Sequence, residues 1–184
     1  MKPNFFLALP LPADPFHAAA PPPPPLRRFH VPELHVTLAF LGPVSADAAN
    51  QAFGAATADL DHAPVDFVPG PVLPFGPRDR FSALSSVPAE QAEPLCALMT
   101  AIARIAFPAA GRPLDPRPPR PHVTLARVPR RASIEERAAA LTWAEQLRPG
   151  LDRVRLDTVA LYTWTEDRRE RLFRIVREVA LAAA

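Results

Sequence analysis

The chain has one cysteine, one tyrosine, six glycines and, apart from Lys2, no lysine. A lone cysteine, Cys96, excludes an intrachain disulfide and leaves no thiolate set for a metal cluster, so a reducing, cytoplasmic setting is expected. Its expected place is a helix core. Neither common glycine-rich phosphate loop occurs, which sets aside nucleotide triphosphate binding by that route. No apolar stretch approaches the ~20 residues that span a bilayer, so no membrane partner is expected. The apolar run at residues 5–9 is short, weakly charged at its flank and broken by Pro10, Pro12 and Asp14. It reads as a first strand rather than a signal segment.

What is present suffices for a folded unit: 184 residues, 48% of them hydrophobic, can bury one core. A single domain over residues 1–184, or two small lobes sharing a core, is expected, as a monomer. The net charge is +2 and the isoelectric point about 9.3, with arginine supplying nearly all the cations. The planar guanidinium suits phosphate, although a chain-wide arginine preference equally follows from genome composition.

The organising feature is a repeat. His35-Val36-Thr37-Leu38-Ala39 recurs as His122-Val123-Thr124-Leu125-Ala126, which points to a duplicated unit. A serine-opened helical pattern follows each copy. After the first, Ser45 is the candidate N-cap, and Ala49, Phe53, Ala56 and Leu60 recur at helical spacing. After the second, Ser133 with Glu136 forms a capping-box pattern ahead of Leu141, Ala144 and Leu147. A third helix is expected over 88–107, with Pro88 in its first turn and Leu95, Leu98, Met99, Ile102 and Ile105 on one side.

Strands are expected at 4–9, 35–41, 65–68, 72–75, 80–85, 122–128, 154–163 and 172–179, with Pro69, Gly70 and Pro71 interrupting one hairpin. Hairpin-length connections between several of these point to an α+β fold with antiparallel sheets rather than a doubly wound parallel sheet. Two proline-rich stretches, 21–25 and 113–121, should be stiff extended loops just upstream of the motifs. A ligand for a proline-reading domain is the alternative for the first.

On a strand, His35 and Thr37 point one way while Val36 and Leu38 point the other, and the second copy behaves alike. If the two halves are related by a pseudo-twofold, both His-Thr pairs meet at one cleft. Two imidazoles with pKa values near ~6.5 can divide the roles of base and acid at neutral pH, and threonine hydroxyls can donate to phosphate oxygens. Arg127 lies five residues after His122, so in an ideal strand it faces away and reaches a phosphate only if the strand bends. A lone histidine on a half-apolar strand is usually structural. Repetition favours function, because core packing does not require the same polar pair twice. His17, His30 and His62 lack this context and read as loop or surface residues. Zinc would need a third protein ligand at a characteristic spacing, which is missing, although Glu33 and Asp115 lie nearby.

These residues resemble the two-histidine phosphoesterases, specifically the LigT-like RNA 2′,3′-cyclic phosphodiesterases, also called 2′-5′ RNA ligases. The marks are Asn4-Phe5-Phe6-Leu7-Ala8-Leu9-Pro10, Pro32-Glu33-Leu34-His35-Val36-Thr37-Leu38-Ala39-Phe40-Leu41-Gly42, Pro121-His122-Val123-Thr124-Leu125-Ala126-Arg127 and Val159-Ala160-Leu161-Tyr162. The resemblance implies a bilobal duplicated α+β fold, with antiparallel sheets flanking a catalytic cleft and helices outside. It implies His35, Thr37, His122 and Thr124 as catalytic residues and Arg127 as the family's arginine. It also implies metal-independent, cofactor-free hydrolysis of a terminal 2′,3′-cyclic phosphate on RNA to a 2′-phosphomonoester, His122 activating water and His35 protonating the departing 3′ oxygen. Phe40 and Tyr162 are the expected walls of a base-binding side, with core packing equally open to them. The 11–27 segment departs from the pattern, being alanine- and proline-rich where relatives carry a fuller helix. Small cyclic nucleotides are further candidate ligands. A ligase running the same site in reverse, another small phosphodiester, and a non-catalytic RNA-binding module are the competing functions.

Overall fold

The structure is a computed structural model that describes residues 3–182 apart from residues 19, 59, 78 and 91. Lys2, and residue 91 inside the expected third helix, therefore lie outside the described residues. The strands are β1 (Phe5–Pro10), β2 (Phe16–His17), β3 (Arg27–Arg28), β4 (His35–Gly42), β5 (Val65–Phe67) and β6 (Pro69–Phe75). They continue as β7 (Ala83–Pro88), β8 (Val123–Arg127), β9 (Arg148–Pro149), β10 (Val154–Leu156), β11 (Thr158–Trp164) and β12 (Phe173–Ala180). Three helices accompany them: α1 (Ala46–Thr57), α2 (Glu93–Ala109) and α3 (Ile134–Glu145). The fold is α+β, as expected. Eight strands form one antiparallel sheet in the order β12-β11-β1-β4-β8-β7-β6, with β3 added to β8.

β1 is apolar throughout and its first five residues are buried, which suits a strand paired on both edges and covered on both faces. α1 and α2 pack against β1, β4 and β11, and α3 packs against β6. The Ser45 hydroxyl accepts the Ala48 amide at 3.2 Å, and Ala49, Ala52, Phe53 and Ala56 form the buried stripe of α1. α1 ends at Thr57, short of Leu60. The Ser133 box forms as expected: Ser133 N–H donates to Glu136 Oε2 at 2.7 Å, and the Glu136 amide donates to Ser133 Oγ at 3.2 Å.

Three expectations need correction. The third helix begins at Glu93, because Ala83–Pro88 is claimed by β7 and the proline in the first turn is Pro94. The 154–163 strand is two: β10 pairs with β5, and after Asp157 the chain moves into the main sheet as β11. β6 runs through Pro69, Gly70 and Pro71, as an edge strand whose register shift between Pro69 and Val72 takes Gly70 and Pro71 out of the ladder. Gly70 is required there, since a Cβ would meet the Val87 carbonyl oxygen at 2.5 Å. Both proline-rich stretches are loops. Cys96 is half-buried on α2. Among the described residues, no helix is long and apolar enough to cross a membrane.

Candidate active site

β4 and β8 meet at a single antiparallel pair, Val36 with Val123, both fully buried. Paired residues point to the same side, so the flanking His35, Thr37, His122 and Thr124 all project from the opposite face. The register sets His35 across from Thr124 and Thr37 across from His122. The two histidines are thus diagonal neighbours, roughly 7–8 Å apart at the backbone. The duplicated motif has become one polar square around a local twofold.

Alternation alone would turn Phe40 and Arg127 away from this face. A bulge in each motif strand turns them back. β1 pairs Ala8 with Thr37 but Leu7 with Ala39, skipping Leu38. β7 pairs Ser85 with Thr124 but Leu84 with Ala126, skipping Leu125. The extra residue shifts the phase by one position, so each strand exposes residues n, n+2 and n+5: His35, Thr37 and Phe40 in one, His122, Thr124 and Arg127 in the other. The burial patterns agree, with Val, Leu and Ala buried in both copies and Phe40 and Arg127 exposed. Arg127 is therefore the twofold counterpart of Phe40.

Each imidazole is held in the same way. His35 Nδ1 donates to the Glu33 carbonyl at 2.6 Å and His122 Nδ1 to the Arg120 carbonyl at 2.8 Å, both two residues upstream. A carbonyl only accepts, so Nδ1 carries the hydrogen and Nε2 is left free. The surroundings differ. His35 is boxed by Phe6 at 4.8 Å, Tyr162 at 5.1 Å and Phe173 edge-on at 5.7 Å, whereas His122 touches one ring, Phe75, at 4.4 Å. Burial lowers the His35 pKa to about 4, opposed by its carbonyl bond and helped by His122 and Arg127. The His122 pKa is lowered by burial and then by Arg120 and Arg127, again against its carbonyl bond. Both imidazoles are neutral at pH 7 in the free protein.

The hydroxyls differ too. Thr124 lies 3.1 Å from the buried Ser85 hydroxyl, while Thr37 faces Ala8 at the matching position. Phe40 is 54% exposed above Phe6, available as a wall. Tyr162 is not a wall. β11 is an interior strand, and Tyr162 is wholly buried, stacked on Phe6 at 5.1 Å with the rings 4° from parallel. Its hydroxyl has no partner among the described residues, and burial followed by Glu178 raises its pKa. Phe29, too, is core, edge-on to Phe173. His17 and His30 are exposed and His62 is half-buried away from the cleft, beside α1.

Glu33 is fully buried. Its carboxylate accepts the His30 amide at 3.2 Å and the Leu172 amide at 2.5 Å, and faces Arg27 at 3.9 Å. One residue thus orients His35 through its carbonyl and fastens the β11–β12 loop through its side chain. Glu33→Gln keeps the shape but replaces a charged acceptor; it should cost about 1.5–3 kcal/mol of stability, read by chemical denaturation. An unchanged midpoint would remove Glu33 from this role. Asp115 pairs with Arg117 in its loop at 2.5 Å. Among the described residues, no three His, Cys, Asp or Glu side chains converge as a metal-ligand set. Ser85, Phe75, Arg120 and Glu33's buried role were not anticipated. The one sequence signal was the Ser85-Ser86 pair inside an otherwise apolar strand.

The 2′-5′ RNA ligase superfamily model matches residues 15–168. Several solved structures share the fold. A phosphoesterase is 20% identical with a TM-score of 0.70, each chain covered to 99%. Escherichia coli LigT complexed with NADP+ is 22% identical with a TM-score of 0.72, again 99% of each chain. A Thermus thermophilus protein, TT0787, is 16% identical with a TM-score of 0.60, 98% of each chain. No curated protein sequence matches. With most of its length matched by the family model, the chain belongs to the 2′-5′ RNA ligase superfamily.

Proposed function

We propose that this protein is a metal-independent RNA 2′,3′-cyclic phosphodiesterase, working as one domain, with His35, Thr37, His122 and Thr124 as its catalytic residues. The observation that carries this is the Val36–Val123 register, which puts both imidazoles and both hydroxyls on one face. The cyclic phosphate sits between the two Nε2 atoms. One imidazole takes a proton from water as the water oxygen bonds to phosphorus; the P–O3′ bond breaks, and the other imidazole gives its proton to O3′. The product is a 2′-phosphomonoester with a free 3′-hydroxyl. Thr37 and Thr124 donate to the non-bridging oxygens, Ser85 orienting Thr124, while Arg127 offsets the growing negative charge. Phe40 offers its exposed ring to the terminal base.

We assign the base to His35 and the acid to His122, the reverse of the division that the resemblance implies. Three aromatic rings around His35 disfavour its charged form more than the single ring beside His122, and environments that push two pKa values apart separate the roles. The bound phosphate anion then favours protonation of the less enclosed ring. If a 5′-hydroxyl of a second RNA replaces water, the same site run in reverse gives a 2′-5′ linkage. Nucleotide-sized ligands are consistent with the cleft, since E. coli LigT has been crystallised with 3′-AMP, ATP and phosphate.

The test is incubation of RNA ending in a 2′,3′-cyclic phosphate with the protein in excess chelator. A 2′-phosphomonoester should form at an undiminished rate. Loss of activity with chelator, or a 3′-phosphate product, would overturn the proposal.

A further inference from the structure

The β11–β12 loop, residues 165–172, stands beside the cleft because three hydrogen bonds fasten it there. Arg27 lies directly across from Arg127 in the β3–β8 pair, so the two side chains share the cleft face. From that position the Arg27 guanidinium donates to the Arg168 carbonyl at 2.6 Å and the Glu170 carbonyl at 2.7 Å. Glu33 holds the Leu172 amide and faces Arg27. The Arg168 guanidinium lies 4.2 Å from the centre of the Trp164 ring. Trp164 pairs with Phe173, whose ring touches His35, so this stacked arginine sits over the cleft face. Neither Arg127 nor Arg168 has a carboxylate partner among the described residues, and burial of the Arg127 guanidinium, followed by the positive charge of Arg168, lowers the Arg127 pKa. Like charges near enough to act on one another are relieved when an anion joins them.

We propose that Arg168 forms a second anion site for the phosphodiester next inward from the terminal cyclic phosphate, so that the protein takes an RNA chain end in preference to a free cyclic mononucleotide. This rests on the cyclic-phosphate reading above. Arg127 serves the reacting phosphate, and the guanidinium braced on Trp164 meets the next one with charge-assisted hydrogen bonds. Fastening through backbone carbonyls means that Arg168→Ala keeps the loop in place and removes only the cation.

The experiment measures kcat/KM for 2′,3′-cyclic AMP and for an RNA trinucleotide ending in adenosine 2′,3′-cyclic phosphate, with wild type, R168A and R168K. The wild type should favour the trinucleotide. R168A should lose about tenfold on the trinucleotide and at most twofold on cyclic AMP, with R168K between, and the trinucleotide's salt dependence should become shallower. Equal losses on both substrates, or none on either, would overturn the proposal. If the wild type hydrolyses neither, the parent reading fails on its own; the second site is then judged by binding of the intact trinucleotide, where equal affinity of wild type and R168A would overturn it.

Discussion

Alanine at His35 or at His122 is expected to lower kcat on a 2′,3′-cyclic phosphate by about 10²–10⁴-fold, the range for loss of a positioned general acid or base. The double variant should be little worse than either single one, because the two groups act as a unit. His35→Gln should lose as much as His35→Ala, which separates lost chemistry from the void that alanine opens among Phe6, Tyr162 and Phe173. The two variants part company on a nucleoside p-nitrophenyl phosphodiester. Nitrophenolate leaves without a proton, so His122→Ala should recover most of its rate there, while His35→Ala stays impaired for want of a base. Recovery by His35→Ala instead would reverse the assigned roles.

The pH profile is the second large effect. In the free protein His35 must be neutral, so kcat/KM falls as pH drops through about 4. His122 must carry a proton, and its pKa is lowered from 6.5. Above that value kcat/KM falls about tenfold per pH unit, so its maximum lies on the acid side of 6.5. The two limbs are properties of the coupled pair, which is why the leaving-group comparison is needed to assign them. In the complex the phosphate anion favours both imidazolium forms, so the kcat profile should be displaced toward higher pH. A kcat/KM maximum above about pH 7.5 would contradict the lowered His122 pKa that sets the alkaline limb.

Much of this was legible in the residues. Identical pentapeptides revealed the duplication, and Ser45 and Ser133 marked two helix starts that the fold keeps. Period-two alternation placed the His-Thr pairs correctly but could not place Arg127 or Phe40, because a β-bulge leaves no trace in local composition and depends on how β1 and β7 pair alongside. Tyr162 looked like a cleft wall because exposure depends on the sheet order, and β11 proved to be an interior strand. Glu33 sat in a proline-flanked loop by sequence. Only the return of the chain at Leu172, 139 residues later, buries it and gives its carboxylate partners.

Titration of the two imidazoles by ¹⁵N NMR, with and without a 2′-phosphorylated nucleoside, bears most directly on whether His35 and His122 share one phosphate. Both rings should hold hydrogen on Nδ1 when neutral, and adding the nucleotide should raise both pKa values together. A response from one ring alone, with the other titrating as before, would mean that the two histidines do not serve a common site.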